Sequence, residues 1–414
     1  MTGLHYTHRL LDGRIARLFE ELPALLLTGP RATGKTTTAR RHVETVLRLD
    51  RPPEAAAFRA DADAALRAQP EPVLLDEWQA VPEILGAVKR AVDDDPRPGR
   101  FVLTGSAVAD LRAETWPGTG RIVRLAMYGL TVREVMGVST GPTFLEKLAL
   151  GEPDAFALPA AAPDLAGYID LALTGGYPEP VLRLSRGARV AWIDSYLEQL
   201  VTRDAELLAG PRDPARLRRY LRALAVSSAG MPEHKTLYDA AAINRKTAVA
   251  YDQLLANLFV LDLVPAWASN RLNRLVRAPK RYLTDPSLIG GALGLDRSAV
   301  MRDGDLLGRL LDTFVVAQLR PELEVETHRP ALHHLREKDG RREIDLVIEV
   351  ANGNIIALEV KATAAPSPGD ARHLAWLRDT LGERFLAGAV LHTGPRPFRL
   401  TDRVLALPLC TLWS

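Results

Sequence analysis

Gly29-Pro30-Arg31-Ala32-Thr33-Gly34-Lys35-Thr36 fits the pattern G-x-x-x-x-G-K-[ST], and its reading decides the fold of the N-terminal part of this chain. An apolar strand-like run, Ala24 to Leu27, precedes it, and a helix-compatible stretch, Thr36 to Val43, follows. That order is what a phosphate-binding loop needs. Glycines let the backbone turn its N–H groups inward, and the next helix adds its positive N-terminal end. Lys35 is then expected at the β- and γ-phosphates and the Thr36 hydroxyl at Mg²⁺, with Thr37 completing the nucleotide-binding run.

Short apolar segments recur at 24–28, 46–50, 72–76 and 100–104, separated by amphipathic stretches near 36–43, 54–68 and 82–93. Such alternation predicts an α/β domain with a parallel sheet covered on both faces, and Ile122 to Met127 offers a further strand. Val73-Leu74-Leu75-Asp76-Glu77 ends a hydrophobic strand in two acids. Strand C-termini gather at one edge of a parallel sheet, so Asp76 is expected beside the phosphate loop as a Mg²⁺ ligand. Glu77 is the candidate base for the attacking water. Phe101-Val102-Leu103-Thr104-Gly105-Ser106 ends another strand in hydroxyls, and Thr104 or Ser106 is a candidate to sense the γ-phosphate; a plain T-G-S turn is the competing explanation. Arg121, after Gly118-Thr119-Gly120, is a candidate arginine finger, acting within its own chain or from a neighbouring subunit, with Arg124 as its rival. No N-K-x-D or T-K-x-D motif for guanine occurs, so ATP with Mg²⁺ is the expected ligand.

The 414 residues suffice for several domains, and a net charge of +2 makes any nucleic-acid surface a local one. A single cysteine, Cys410, excludes an internal disulfide and a thiolate zinc cluster. The absence of a signal-like N-terminus or a bilayer-length apolar run leads to the expectation of a cytoplasmic protein without membrane partners.

Taken together, the phosphate loop, Leu-Leu-Asp-Glu, Leu-Thr-Gly-Ser and the Gly-Arg step, with Tyr128 to Glu134, resemble prokaryotic AAA-superfamily ATPases bearing a C-terminal domain of unknown function. Gly175-Gly176-Tyr177-Pro178-Glu179-Pro180 and Arg203-Asp204 are similar to that family's pattern. The resulting division is an ATPase domain over 1–137, a linker over 138–186, a helical region over 187–285 and an α/β domain over 286–414.

Within the helical region, helix-compatible runs over 215–226, 236–241 and 245–258 and a strand over 260–264 have the order of a winged helix. Asn244, Arg245, Lys246 and Thr247 then begin the helix that enters the major groove. Arg216, Arg218, Arg219 and Arg222 upstream, and Arg271, Arg274, Arg277, Lys280 and Arg281 downstream, add local positive charge. Winged helices also serve in protein interaction or oligomerisation, so DNA, a protein partner and self-association all stand as candidate partners.

Asp345 and Glu359-Val360-Lys361 form D-x13-E-x-K, which resembles the core of PD-(D/E)XK nucleases. Glu359 and Lys361 alternate onto one strand face. Asp345 and Glu359 are expected to hold Mg²⁺, and Lys361 to activate hydroxide. Asp312 stands on a helix where the resemblance implies an acid, usually Glu. An ordinary same-face ion pair in a nuclease-like shape without activity is the alternative. The two functional readings are an Mg²⁺-dependent ATPase acting on or near DNA, and a nucleotide-switched regulator or scaffold with protein partners.

Overall fold

The computed structural model describes residues 6–105, 120–204, 213–269, 274, 277–337 and 341–414. It resolves into two compact units, one of the residues up to Gly129 with 257–259, the other of residues 130–256 and 260–414.

In the first unit α1 (Asp12–Phe19) leads to β1 (Ala24–Thr28), the phosphate loop and α2 (Lys35–Ala39). Then come β2 (Thr45–Arg48), α3 (Pro52–Ala60), α4 (Ala62–Arg67), β3 (Val73–Asp76), α5 (Ile84–Asp94), β4 (Phe101–Gly105) and β5 (Val123–Ala126). The five strands form one parallel sheet in the order β2-β3-β4-β1-β5. Alternate residues Ala24, Leu26, Val73, Leu75, Phe101 and Leu103 share a cluster with Phe58, Leu66, Ile84, Leu85 and Val88 of α3 to α5. Their neighbours Leu25, Leu27, Leu74 and Val102 are buried too, as a sheet covered on both faces requires. The helix expected over 54–68 is two, because the Asp61 side chain accepts the Ala64 N–H at 2.9 Å and starts a new helix there.

The second unit begins at Leu130. Residues 138–186, expected as a linker, instead carry packed helices. After α6 (Val132–Val135) come α7 (Phe144–Ala149), α8 (Leu165–Thr174) and α9 (Pro178–Arg183). Thr131 with Glu134, and Thr143 with Glu146, form capping boxes that start α6 and α7. Phe144, Leu145 and Leu148 bury one face of α7, a stripe too short to register as periodicity. Gly175 has φ +71°, and a Cβ there would lie 2.2 Å from Asp285 Oδ1, while Gly176 N–H donates to Asp285 Oδ2 at 2.8 Å. The Gly-Gly-Tyr-Pro-Glu segment is thus a packing device.

Next follow α10 (Arg186–Gln199), α11 (Pro214–Val226), α12 (His234–Ala240) and α13 (Arg245–Asn257), then antiparallel β6 (Leu261–Val264) and β7 (Lys280–Leu283). After α14 (Ser287–Leu293) and α15 (Arg297–Met301) a long helix, α16 (Gly304–Val325), leads to β8 (Ala331–Arg336), β9 (Glu343–Glu349) and β10 (Ile355–Val360). The chain closes with α17 (Arg372–Leu381), β11 (Phe385–His392), β12 (Phe398–Thr401) and β13 (Val404–Pro408). These six strands make a mixed sheet ordered β12-β13-β11-β10-β9-β8, with α17 contributing Leu374 and Leu377 to its core. The fold class is therefore α/β, with a parallel-sheet first unit and a second unit of helices and a mixed sheet.

Candidate functional site

Thr28 ends β1 and the chain turns at Gly29, whose φ is +151° and whose Cβ would stand 2.0 Å from the Met127 carbonyl oxygen. Only glycine fits there. Ala32 (φ 60°) and Gly34 (φ 92°) take left-handed conformations that close the loop before α2. Thr33 Oγ1 donates to the Pro30 carbonyl at 2.9 Å. Lys35 is buried and folded back, its Nζ donating to the carbonyls of Gly29 at 3.0 Å and Pro30 at 2.7 Å. Burial pushes its pKa down to about 8; Glu77 and Asp76 oppose the shift and Arg31 reinforces it.

β4 lies between β1 and β3, and the Asp76–Thr104 register pairs these two residues across β3 and β4. Asp76 Oδ1 accepts from Thr36 Oγ1 at 2.7 Å and from Thr104 Oγ1 at 2.5 Å. Three residues read from separate motifs thus meet at one carboxylate oxygen. A threonine hydroxyl beside a carboxylate at a phosphate loop is an all-oxygen set that suits Mg²⁺. Thr37 is exposed on α2, and Ser106 lies outside the described residues.

Glu77 follows at φ 56°, ψ 48°, an uncommon conformation for a glutamate. Its carboxylate accepts a hydrogen bond from the Gln79 side-chain amide. A Cβ on Gly105 would come within 2.7 Å of Trp78 Nε1 and 2.8 Å of Gln79 Oε1, so the glycine after Thr104 makes room for this turn. Gln79 is a residue that sequence reasoning passed over, and nothing in a strand-plus-acid motif marks it. Arg9 is another. Although an arginine, it is buried, donating to Thr33 O at 2.9 Å, Tyr128 O at 2.7 Å and Gly129 O at 3.1 Å, and so ties the phosphate loop to the chain after β5.

Arg121 is not brought to this site. β5 begins with Val123 opposite Leu25, so Arg121 stands at the opposite end of the strands from the loop, roughly 20 Å away by strand length. There its Nε donates to Asp93 Oδ1 at 2.8 Å. The structure therefore corrects the expectation of a finger acting within its own chain. Its rival, Arg124, is exposed on edge strand β5.

In the second unit Asp345, Glu359 and Lys361 do come together, with Asp312 beside them, but a fifth residue changes the chemistry. Lys280 of β7, buried, donates to Asp345 Oδ1 at 2.8 Å and lies 3.3 Å from Asp312 Oδ2. Asp345 Oδ2 accepts the Val360 N–H at 3.1 Å. Burial disfavours the ammonium, but Asp312 and Asp345 outweigh it and raise the Lys280 pKa well above its ordinary value. Burial and then the Asp345 charge push Glu359 well above its own, and the two carboxyl groups share a hydrogen bond. Lys361 Nζ stands 3.4 Å from Glu359 Oε2. A divalent ion at about 2.0–2.6 Å from Asp312 Oδ2 and Asp345 Oδ1 would collide with the ammonium, so at these oxygens the residues do not fit the metal expected of them. Asp312 Oδ1 is buried without a hydrogen-bond partner. Among the described residues no group of three or more His, Cys, Asp or Glu is arranged to hold a metal ion.

The candidate DNA contacts stand at the start of α13. Asn244 Oδ1 accepts the Thr247 N–H at 2.9 Å as a helix cap, and Arg245 and Lys246 are exposed. Of the downstream cations, Arg281 is buried against Asp252 at 3.0 Å, and Arg274 pairs with Glu349 at 2.5 Å. With Lys280 they are spent on internal carboxylates, which corrects their assignment to a DNA surface. Arg271 lies outside the described residues.

Three families match along the chain: an AAA domain over residues 21–136, a domain of unknown function (DUF8612) over 165–299, and a second domain of unknown function (DUF4143) over 307–412. Uncharacterized proteins of Mycobacterium tuberculosis and Mycobacterium bovis are each 28% identical over 403 residues, covering 95% of this chain and 82% of theirs. A Walker-type ATPase of Pyrococcus abyssi aligns in structure over 70% of this chain and 96% of its own, at 14% identity and a TM-score of 0.42. The AAA match supports nucleotide binding and ATP hydrolysis at the level of the family. No helix among the described residues is long and apolar enough to cross a membrane.

Proposed function

We propose that this protein is an Mg²⁺-dependent ATPase whose second unit contacts DNA. The observation that carries the ATPase reading is the meeting of Thr36, Thr104 and Asp76 directly beyond the phosphate loop. Lys35 is charged and held on loop carbonyls, from which it can turn to the β- and γ-phosphates as they enter. Thr36 and Asp76 would hold Mg²⁺, which when bound offsets charge on the phosphate oxygens. Glu77 takes the proton of the attacking water, and Gln79, hydrogen-bonded to its carboxylate, fixes where that base points. Thr104 holds Asp76 in place from the neighbouring strand.

The test is direct. Glu77→Gln is expected to retain ATP binding while lowering turnover by about 10²–10⁴-fold, the usual range for a lost general base. Turnover at the wild-type rate in this variant would sink the assignment.

The DNA reading rests on α11 to α13 and the β6–β7 pair, which have the order of a winged helix, and on Arg245 and Lys246 standing exposed at the start of α13. These two cations would meet phosphates or base edges.

A further inference from the structure

Asp312, Asp345 and Glu359 come from a helix and two strands within one matched family domain, while Lys280 comes from the β6–β7 hairpin in another. The ammonium sits against one oxygen of each aspartate, at 2.8 Å and 3.3 Å. The other Asp345 oxygen is taken by the Val360 N–H, and Glu359 is turned to Asp345 and Lys361. Each acid that would ligate a metal has a partner supplied by this chain, although Asp312 Oδ1 itself is buried without one.

We propose that Lys280 is the resident cation of this acid cluster. It occupies the place of a divalent metal, so the nuclease-like sheet binds none and does not cut phosphodiesters. The same contact fastens the β6–β7 hairpin to the acids of α16 and β9. A second bond does likewise: Arg320 of α16 donates to Asp262 of β6 at 2.6 Å and 2.8 Å. The cluster is then a structural joint that keeps a nuclease's acids without its chemistry.

The experiment is Mn²⁺ binding followed by the electron paramagnetic resonance of the unbound ion, on the full chain without nucleotide. All variants carry Asp76→Asn to silence the ATPase position. With Lys280 intact, no Mn²⁺ is expected to bind up to millimolar concentration. Lys280→Ala should bind one Mn²⁺ per chain at least tenfold more tightly, and adding Asp345→Asn should abolish that binding. Mn²⁺ bound in an Asp345-dependent way with Lys280 present would overturn the proposal, as would a folded Lys280→Ala that binds none. If Lys280→Ala is not recovered folded, the arm with Lys280 intact decides alone.

Discussion

At the scale of single residues, Lys35 carries the most testable chemistry. In the nucleotide-free protein burial holds its pKa at about 8. A bound triphosphate restores the preference for the charged form. Above pH 8 the free protein therefore has to take up a proton to bind ATP, whose own phosphate protons are already gone. Affinity for Mg·ATP should be flat near pH 7 and fall above pH 8, towards about tenfold per unit. Calorimetry in two buffers of different ionisation heat should show proton uptake near pH 9, and a flat affinity across pH 7 to 9.5 would contradict this. For nucleotide-free stability the sign is opposite. The unfolded chain binds more protons between pH 8 and the ordinary lysine value of 10.5, so the fold gains stability as pH rises through that window.

At the scale of elements, the loop that grips phosphate is itself gripped. Three carbonyls, at Thr33, Tyr128 and Gly129, accept from the Arg9 guanidinium. Arg9→Met keeps the apolar stem and removes these bonds, each worth about 1.5–3 kcal/mol when the donor is charged. A fall of about tenfold or more in ATP affinity is expected, with the sheet still folded by circular dichroism; unchanged affinity would show that the loop holds its shape without Arg9. Why Arg9 went unread is plain. An arginine well before the motif reads as surface charge, and only the fold brings it under the loop. The phosphate loop and Asp76-Glu77 were legible because their chemistry is set by neighbours in sequence. Gln79 was not, since its role follows from a turn that Glu77 makes at positive φ. Lys280 was misread because its partners lie at positions 312 and 345, and its burial becomes visible only when β7 is placed.

At the scale of the whole molecule, the chain after Gly129 forms one compact unit, leaving aside 257–259, while two matched families divide it in sequence at about residue 300. Short helices with capping boxes, such as α7, bury only a few side chains each and leave little periodic signal. The Arg133–Glu322 pair, at 2.8 Å and almost wholly buried, joins α6 to α16 in that unit. The DNA reading belongs at this scale as well. Duplex DNA binding by fluorescence anisotropy should weaken steeply with salt, and reversing both charges in Arg245→Glu/Lys246→Glu should lower affinity by at least tenfold. Binding equally strong in that variant would move the contact elsewhere. The central claim is the nucleotide pocket, and calorimetric titration of the folded 414-residue chain with Mg·ATP tests it most directly. One molecule should bind per chain with measurable heat in the wild type and none in Lys35→Ala; no heat in the wild type, or equal heat in both, would contradict the account.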